Sequence, residues 1–375
     1  PLKQMAIVMA TEERFPNGVV ECEKLRKTLG VKFGDYIVSV HPANIVGEIK
    51  GKSSNEAWAA REAKRVLVDE KKYDIKYITI TSNDADAVSH RQYFAYLTFK
   101  FLDDPNRYLK FWQPAIVFYN NIWRLPAPSR VVNTFSNIWQ VGLLSRKAPL
   151  VNFSNYSASL FMIDKVGYWD TDVIPEDYRI FFKAFFKLDG QVEVEPIFLP
   201  SSADAAESTS TWKTFINDYE QKKRWAWGVS DLPLFIRWYL KEPKVSFFNK
   251  SIRIFRLLED HIMWPVYLFF ITMGVTISTL VNPNFSRTSI GYMLPKFSST
   301  ILSITTIFLL FLLIFEFRLR PKPVNKKILR MLLAPLELIW MPVVGFFFGA
   351  LPGLDAHTRL MMGRYIEYRV TEKVG

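Results

Sequence analysis

The chain of 375 residues has a single cysteine, Cys22, and four histidines. One cysteine excludes an intrachain disulfide, which fits a reducing compartment. One thiol and four scattered imidazoles lack the ligand spacing of a zinc site. No helix-turn-helix, RNP-like or zinc-finger pattern is present, so nucleic acid is not an expected partner. Gly51-Lys52-Ser53 imitates the end of a phosphate-binding loop. The spacing excludes that motif, because position 46 is a valine and the nearest upstream glycine, Gly47, lies one residue too close. The chain starts at Pro1 with no signal peptide, and upstream sequence is expected to have been removed. There is no internal repeat.

What the chain has in excess is apolar and aromatic residues. Hydrophobic residues make up 49% and aromatics 15%, with 31 Phe and 11 Trp. The excess concentrates after residue 260. The formal net charge is +12, and much of it brackets the apolar C-terminal part. That placement favours lipid headgroups or a phosphate-rich substrate over nucleic acid. The length allows one large catalytic domain and a smaller module. The boundaries expected are 1–230 for the catalytic domain, 231–260 for an amphipathic membrane-interface region and 261–375 for a transmembrane region.

Within 1–230, short apolar runs alternate with helix-like stretches. Residues 5–10, 36–40, 77–81, 115–119 and 192–199 are short and rich in β-branched or aromatic residues, which predicts strands. Trp58, Ala59, Ala63, Val66 and Leu67 recur at helical spacing and predict a helix over 55–68. This alternation predicts an α/β fold with a mostly parallel sheet. Ligands of such sheets bind at the carboxyl ends of strands. Residues 201–211 are small and polar and read as a loop.

Over 247–258, Lys250, Arg253 and Arg256 share one helical face, while Ile252, Ile254, Phe255 and Leu258 lie on the other. This predicts a helix in the membrane interface; a solvated helix packed on the domain fits the same pattern. Residues 262–286 and 297–315 carry no charge and are long enough to cross about 30 Å of hydrocarbon. Residues 331–354 contain Glu337, Pro335, Pro342 and Pro352 and could span, kink or re-enter. Arg318, Arg320, Lys322, Lys326, Lys327 and Arg330 crowd the connector before this third segment, against only Arg287 and Lys296 in the loop between the first two. The positive-inside rule then puts the connector, and the large N-terminal domain with it, on the cytoplasmic side of a bacterial inner or plasma membrane.

Three constellations can carry chemistry. Asp84 and Asp86 follow the 77–81 strand, where two carboxylates one residue apart can meet on one Mg²⁺ or Mn²⁺ that bridges to phosphate. A solvated acidic turn is the plainer alternative. Glu176-Asp177 follows Pro175; a carboxylate there can act as a general base or simply open a helix running to Phe186. Gln221, Arg224 and Trp225 lie three and four residues apart on one helical stretch. Arg grips phosphate in a bidentate manner and Trp offers a flat face to a sugar ring. An amphipathic helix with a membrane-anchoring Trp gives the same pattern.

Taken in order, Gly51-Lys52 with Asn55, Asp84-Ala85-Asp86, Pro175-Glu176-Asp177 and Gln221…Arg224-Trp225 resemble the motifs of the family 2 glycosyltransferases of GT-A fold, in the cellulose synthase and hyaluronan synthase-like group. The resemblance covers residues 5–230. It implies a GT-A, Rossmann-like catalytic domain followed by transmembrane helices. It also implies Lys52 and Asn55 near the nucleotide and Asp84 and Asp86 on metal and diphosphate. Asp177 becomes the catalytic base, and Gln221, Arg224 and Trp225 line the diphosphate and acceptor side. Inversion at the anomeric carbon by direct displacement is implied as well. The partners implied are a nucleotide diphosphate-sugar donor, a lipid-linked or polysaccharide acceptor and membrane lipids.

Two departures from the family stand out. No Asp-Asp-Gly-Ser stretch follows the first predicted strand, so base recognition is unassigned. No Phe-x-Val-Thr-x-Lys segment follows the membrane helices, which argues mildly against a processive synthase. The leading reading is therefore a membrane-bound inverting transferase. The alternatives are a processive polysaccharide synthase and a degenerate transferase-like protein that binds nucleotide or lipid.

Overall fold

The computed structural model describes residues 2–146, 149–322 and 333–367. Strands β1 (Ala6–Glu12) and β2 (Asp35–His41) pair in parallel over seven residues. Strands β3 (Thr79–Ser82), β4 (Val88–Ser89), β5 (Lys110–Val117), β6 (Tyr156–Ser159) and β7 (Glu193–Ser202) form a second sheet in the order β3-β6-β5-β7-β4. Only β5 and β7 run parallel in it; the other pairs are antiparallel. The sheet is therefore mixed, which corrects the expectation of a mostly parallel one. The cause is β6, a four-residue insertion between β3 and β5 whose Tyr-Ser-Ala-Ser sequence carries no apolar run.

Strand β5 is buried from Phe111 to Val117, as befits the centre of a sheet covered on both faces. Its Pro114 has no N–H for the ladder, and the register shifts between Pro114 and Ile116 to accommodate it. The strand begins at Lys110, five residues before the stretch expected from sequence. β1, β2, β3 and β7 fall where periodicity placed strands, within a few residues.

Helix α1 (Gly18–Leu29) follows β1, and α2 (Lys52–Lys64) continues into a wider turn at Arg65–Glu70 and packs on β1 and β2. Then come α3 (Tyr93–Asp103), α4 (Ala127–Leu144), α5 (Leu160–Val166), α6 (Glu176–Lys187), α7 (Thr211–Ala226) and α8 (Leu232–Lys241). Helix α6 forms the heart of the core. Phe181, Phe182, Phe185 and Phe186 are buried, and the Phe182 and Phe235 rings stack at 4.2 Å. Each such ring contributes about 1.5–3 kcal/mol. Lys183 folds back to the Tyr168 carbonyl at 2.8 Å and Asp170 at 2.6 Å. A helix clamped along its length in this way holds its first turn, Glu176-Asp177, in a fixed place.

Helices α9 (Phe247–Val281) and α10 (Ser289–Leu319), with the segment Ala334–Met361, are long and apolar enough to cross a membrane. The third is built of several short helical pieces ending in Leu351–Met361. Pro265 of α9 sits against Gly353 there, and Trp264 Nε1 donates to the Gly349 carbonyl at 3.1 Å. At 35 residues, α9 is about 52 Å long by helical rise, so it exceeds the bilayer core. It runs unbroken through residue 260. Its first turns pack on the N-terminal domain through basic and apolar residues together. Lys250 and Arg253 are buried, whereas Phe248 and Phe255 are 82% and 64% exposed. Arg253 finds Glu193 at 2.7 Å and the Leu150 carbonyl at 3.1 Å, while Lys250 caps the Tyr239 and Glu242 carbonyls at 2.8 and 3.1 Å. Lys250 and Arg253 thus dock together with Ile254 and Leu257, which join the core, while Phe248, Ile252 and Phe255 stay exposed. Arg256 pairs with Glu259 at 3.1 Å.

Helix α4 joins the two halves. Arg130 forms a bidentate ion pair with Glu337, one bond being 2.8 Å. Arg320 pairs with Glu316 at 2.9 Å and donates to Thr134 at 2.5 Å. Arg320 is therefore a buried structural cation rather than a solvated one. Lys326, Lys327 and Arg330 of the expected connector, and the first residues of the 331–354 segment, lie outside the described residues. With spans of this length, the full chain is expected to remain in the membrane pellet after alkaline carbonate washing and to enter solution only with detergent. Recovery in the carbonate supernatant would contradict a spanning topology.

Candidate active site

The loop 152–155, between α4 and β6, is the point where the sequence-predicted residues meet. Asp84 and Asp86 follow β3 directly, and the Asp84 N–H donates to Asn155 Oδ1 at 2.9 Å. Lys52 opens α2 behind Gly51, whose φ of 151° is available to glycine. The Lys52 ammonium reaches Asp84 at 3.0 Å, Glu176 at 3.3 Å and the Ser154 carbonyl at 3.0 Å. Asp177, in the first turn of α6, accepts the Ser154 N–H at 2.8 Å on Oδ2 and the Tyr178 N–H at 2.8 Å on Oδ1. Asn152 Nδ2 donates to the Asp177 carbonyl at 3.0 Å. Gln113, one residue before the proline of β5, holds the loop from below. Its Oε1 accepts the Phe153 N–H at 2.9 Å and its Nε2 donates to the Asn155 carbonyl at 3.0 Å.

The cluster carries more acid than base, and burial decides who keeps a proton. Burial pushes the Glu176 carboxyl up to about 8; the Lys52 cation opposes this, and the Asp177 and Glu56 carboxylates add to it. Burial likewise raises Glu56, against the pull of Lys52 and the Ser82 hydroxyl and with the help of Asp84 and Asp177. Burial on its own would lower the Lys52 ammonium, but Asp84, Glu176 and Glu56 reverse that and hold it well above the ordinary lysine value. The site therefore holds a charged Lys52, while burial favours the neutral form of Glu176.

Asp86 takes a second set of partners. Its Oδ2 accepts the Asp204 N–H at 2.7 Å and its carbonyl accepts Asn120 Nδ2 at 3.0 Å. Asn121 fixes the same stretch by a paired exchange with Ala205, its Oδ1 accepting at 2.9 Å and its Nδ2 donating at 3.0 Å. Asp84 and Asp86 thus sit on two sides of one turn. Among the described residues no group of three or more His, Cys, Asp or Glu is placed to hold a metal. By donor type, carboxylate oxygens such as these suit Mg²⁺ or Mn²⁺.

Gln221, Arg224 and Trp225 lie on α7. The Trp225 ring stacks on Phe118 with centroids 6.0 Å apart, and both belong to an apolar cluster that includes Phe153, Ala203 and Ala205. Trp225 therefore shares a floor with the loop of Ser154 and the turn that holds Asp86. Gln221 is buried, and its Oε1 has no hydrogen-bond partner among the described residues. The same is true of Asn55 Oδ1 on α2. Lys222, between motif positions, stands 3.6 Å over the Trp225 ring and donates to Ser136 at 2.9 Å. Asp218 accepts from Ser129 at 2.5 Å. Burial pulls the Lys222 ammonium down, while Asp218 opposes it.

Sequence reasoning missed Ser154, Asn152, Asn155, Gln113, Glu56, Asp204 and Lys222. The Asn-Phe-Ser-Asn stretch signals a loop by composition, but its polar contacts are made largely by backbone groups, which leave no residue-type signature. Ser154 carries a φ of 54°, a left-handed conformation that costs a non-glycine residue on the order of 1 kcal/mol.

Comparison with known proteins bears on this arrangement. Residues 79–317, more than half of the chain, match the family described as glycosyl transferase family group 2. No curated protein sequence matches the chain significantly. Among solved structures it is similar to the mannosyltransferase PcManGT from Pyrobaculum calidifontis in complex with GDP-Man and Mn²⁺. The identity is 11% and the TM-score 0.46, over 97% of this chain and 80% of that one. The matched stretch takes in the Asp84-Ala85-Asp86 turn, the Ser154 loop, Glu176-Asp177, the Gln221–Trp225 helix and the first two spanning helices, and on that match the chain belongs to glycosyl transferase family group 2.

Proposed function

We propose that this glycosyltransferase is a membrane-bound inverting enzyme that moves a sugar from a nucleotide diphosphate-sugar to a lipid-linked or polysaccharide acceptor, with its catalytic domain, residues 1–230, on the cytoplasmic side. The observation that carries the reading is the meeting of Lys52, Asp84 and Asp177 around the Ser154 loop. Lys52 supplies a permanent cation for a phosphate, and Asn55 lies one turn further along α2 on the nucleotide side. Asp177 is the base. As the acceptor oxygen bonds to the anomeric carbon, its proton passes to the Asp177 carboxylate and the bond to the nucleoside diphosphate breaks. Two backbone N–H donors fix the orientation of that carboxylate. Gln221 and Arg224 face the diphosphate, and Trp225 offers its ring to the acceptor. A divalent cation held by Asp84 and Asp86 would neutralise charge on the leaving diphosphate.

A screen of purified protein against UDP-, GDP- and dTDP-sugars, read as release of the nucleoside diphosphate, tests the reading. One donor class is expected to be turned over in the presence of Mn²⁺ and a membrane extract. Binding without release from any donor would favour a non-catalytic protein.

A further inference from the structure

Ser154 spends all three of its polar groups on residues given roles above. Its N–H goes to Asp177 at 2.8 Å, its carbonyl to Lys52 at 3.0 Å and its hydroxyl to Asp84 at 3.3 Å. It does so from a left-handed backbone with φ of 54°, where glycine would sit without strain. The strain is imposed from both sides. Gln113 fixes Phe153 and Asn155, Asn155 fixes Asp84, and Asn152 fixes Asp177. Strain held by its surroundings at a site is a pointer to function. A serine offers two things that a glycine cannot: a backbone confined by its Cβ and a hydroxyl on Asp84.

We propose that Ser154 is a positioning residue that sets the spacing between Asp84, on the donor side, and the base Asp177. The inference rests on the reading of those two residues given above. Its backbone orients Asp177 and its hydroxyl orients Asp84, so the two effects separate in kinetics. Ser154→Ala keeps the N–H and the Cβ but loses the hydroxyl, and the donor KM is expected to rise about tenfold with a smaller change in kcat. Ser154→Gly also frees the backbone. It is expected to raise Tm by relieving strain while kcat falls about tenfold. A merely structural serine would give the same more stable glycine variant but with unaltered kinetics, so the kinetics decide.

The experiment compares full-length wild type, Ser154→Ala, Ser154→Gly and Asp177→Asn in detergent, by thermal denaturation and by steady-state kinetics with the donor that wild type uses. Higher Tm with lower kcat in Ser154→Gly, and a raised donor KM in Ser154→Ala, support the inference. An active wild type, an inactive Asp177→Asn and Ser154 variants with wild-type kcat and KM would overturn the role of Ser154 alone. Equal rates in wild type and Asp177→Asn would remove the base reading, and this inference with it. Should Ser154→Gly fail to fold, an unchanged donor KM in Ser154→Ala suffices to reject the proposal.

Discussion

Asp177→Asn is expected to fold, to bind donor with nearly wild-type affinity and to lose about 10²–10⁴-fold in turnover. The asparagine keeps one oxygen to accept a backbone N–H, so the loop around Ser154 retains part of its anchorage. What it cannot do is take a proton. Glu176→Gln is expected to do less damage, because burial favours the neutral form of Glu176 and it touches Lys52 rather than an open face. It carries a second, distinguishing signature. Its carboxyl is raised from 4.5 to about 8 in the folded protein, so the folded state holds a proton that the unfolded chain releases. The stabilisation from that proton is complete below the unfolded value and is lost as the pH rises towards about 8. Thermal denaturation between these limits should show wild-type stability falling with pH and a flatter profile for Glu176→Gln. If Asp177→Asn turned over at the wild-type rate while Glu176→Gln was dead, the base would be the neighbouring residue. Full activity in both would reduce the pair to the opening of a helix.

Removal of divalent cations is expected to abolish turnover. Asp84 and Asp86 follow β3 directly, and side-chain cations such as Lys52 each bring one positive charge to a leaving group with several negative ones. A Mg²⁺ or Mn²⁺ ion adds several kcal/mol of charge stabilisation that a lone ammonium does not supply. EDTA should reduce the rate to background, and excess Mn²⁺ should restore it. Asp86→Ala should weaken Mn²⁺-dependent donor binding, measured by calorimetry with and without the metal, while metal-free binding changes little. Full turnover in EDTA would remove the divalent cation and leave the diphosphate charge to Lys52 and Arg224.

The sequence made legible those features that are local. Strands β1, β2 and β7 announce themselves by β-branched and aromatic runs, and the turn of Asp84 and Asp86 follows its strand directly. The motif residues could be ordered along the chain, and Lys52, Asp84 and Asp177 do meet. Strand direction is set by connections over long separations, so the antiparallel insertion of β6 was hidden. Its Tyr-Ser-Ala-Ser stretch carries no apolar run, and its place in the sheet is set by the partners of Ala158, Ile80 and Phe111, on two other strands. The docking of α9 leaves little local trace for a similar reason. Lys250 and Arg253 look like headgroup ligands on a helical wheel, but Glu193 and the Leu150, Tyr239 and Glu242 carbonyls supply enough acceptors to bury them. Buried charge is tolerable only with such partners, and partners drawn from distant segments have no trace in a local pattern. Ser154 was invisible on the same grounds, since two of its three contacts use the backbone.

The most direct test of direct displacement by a base on Asp177 is the configuration of the product. With the α-linked nucleotide-sugar that the wild type turns over, the anomeric coupling constant of the newly formed linkage can be read by proton NMR before any equilibration. Direct displacement gives a β-linked product, inverted at the anomeric carbon. An α-linked product would contradict it, because retention needs a second displacement or a front-face path that this arrangement of Asp84, Ser154 and Asp177 was not assigned.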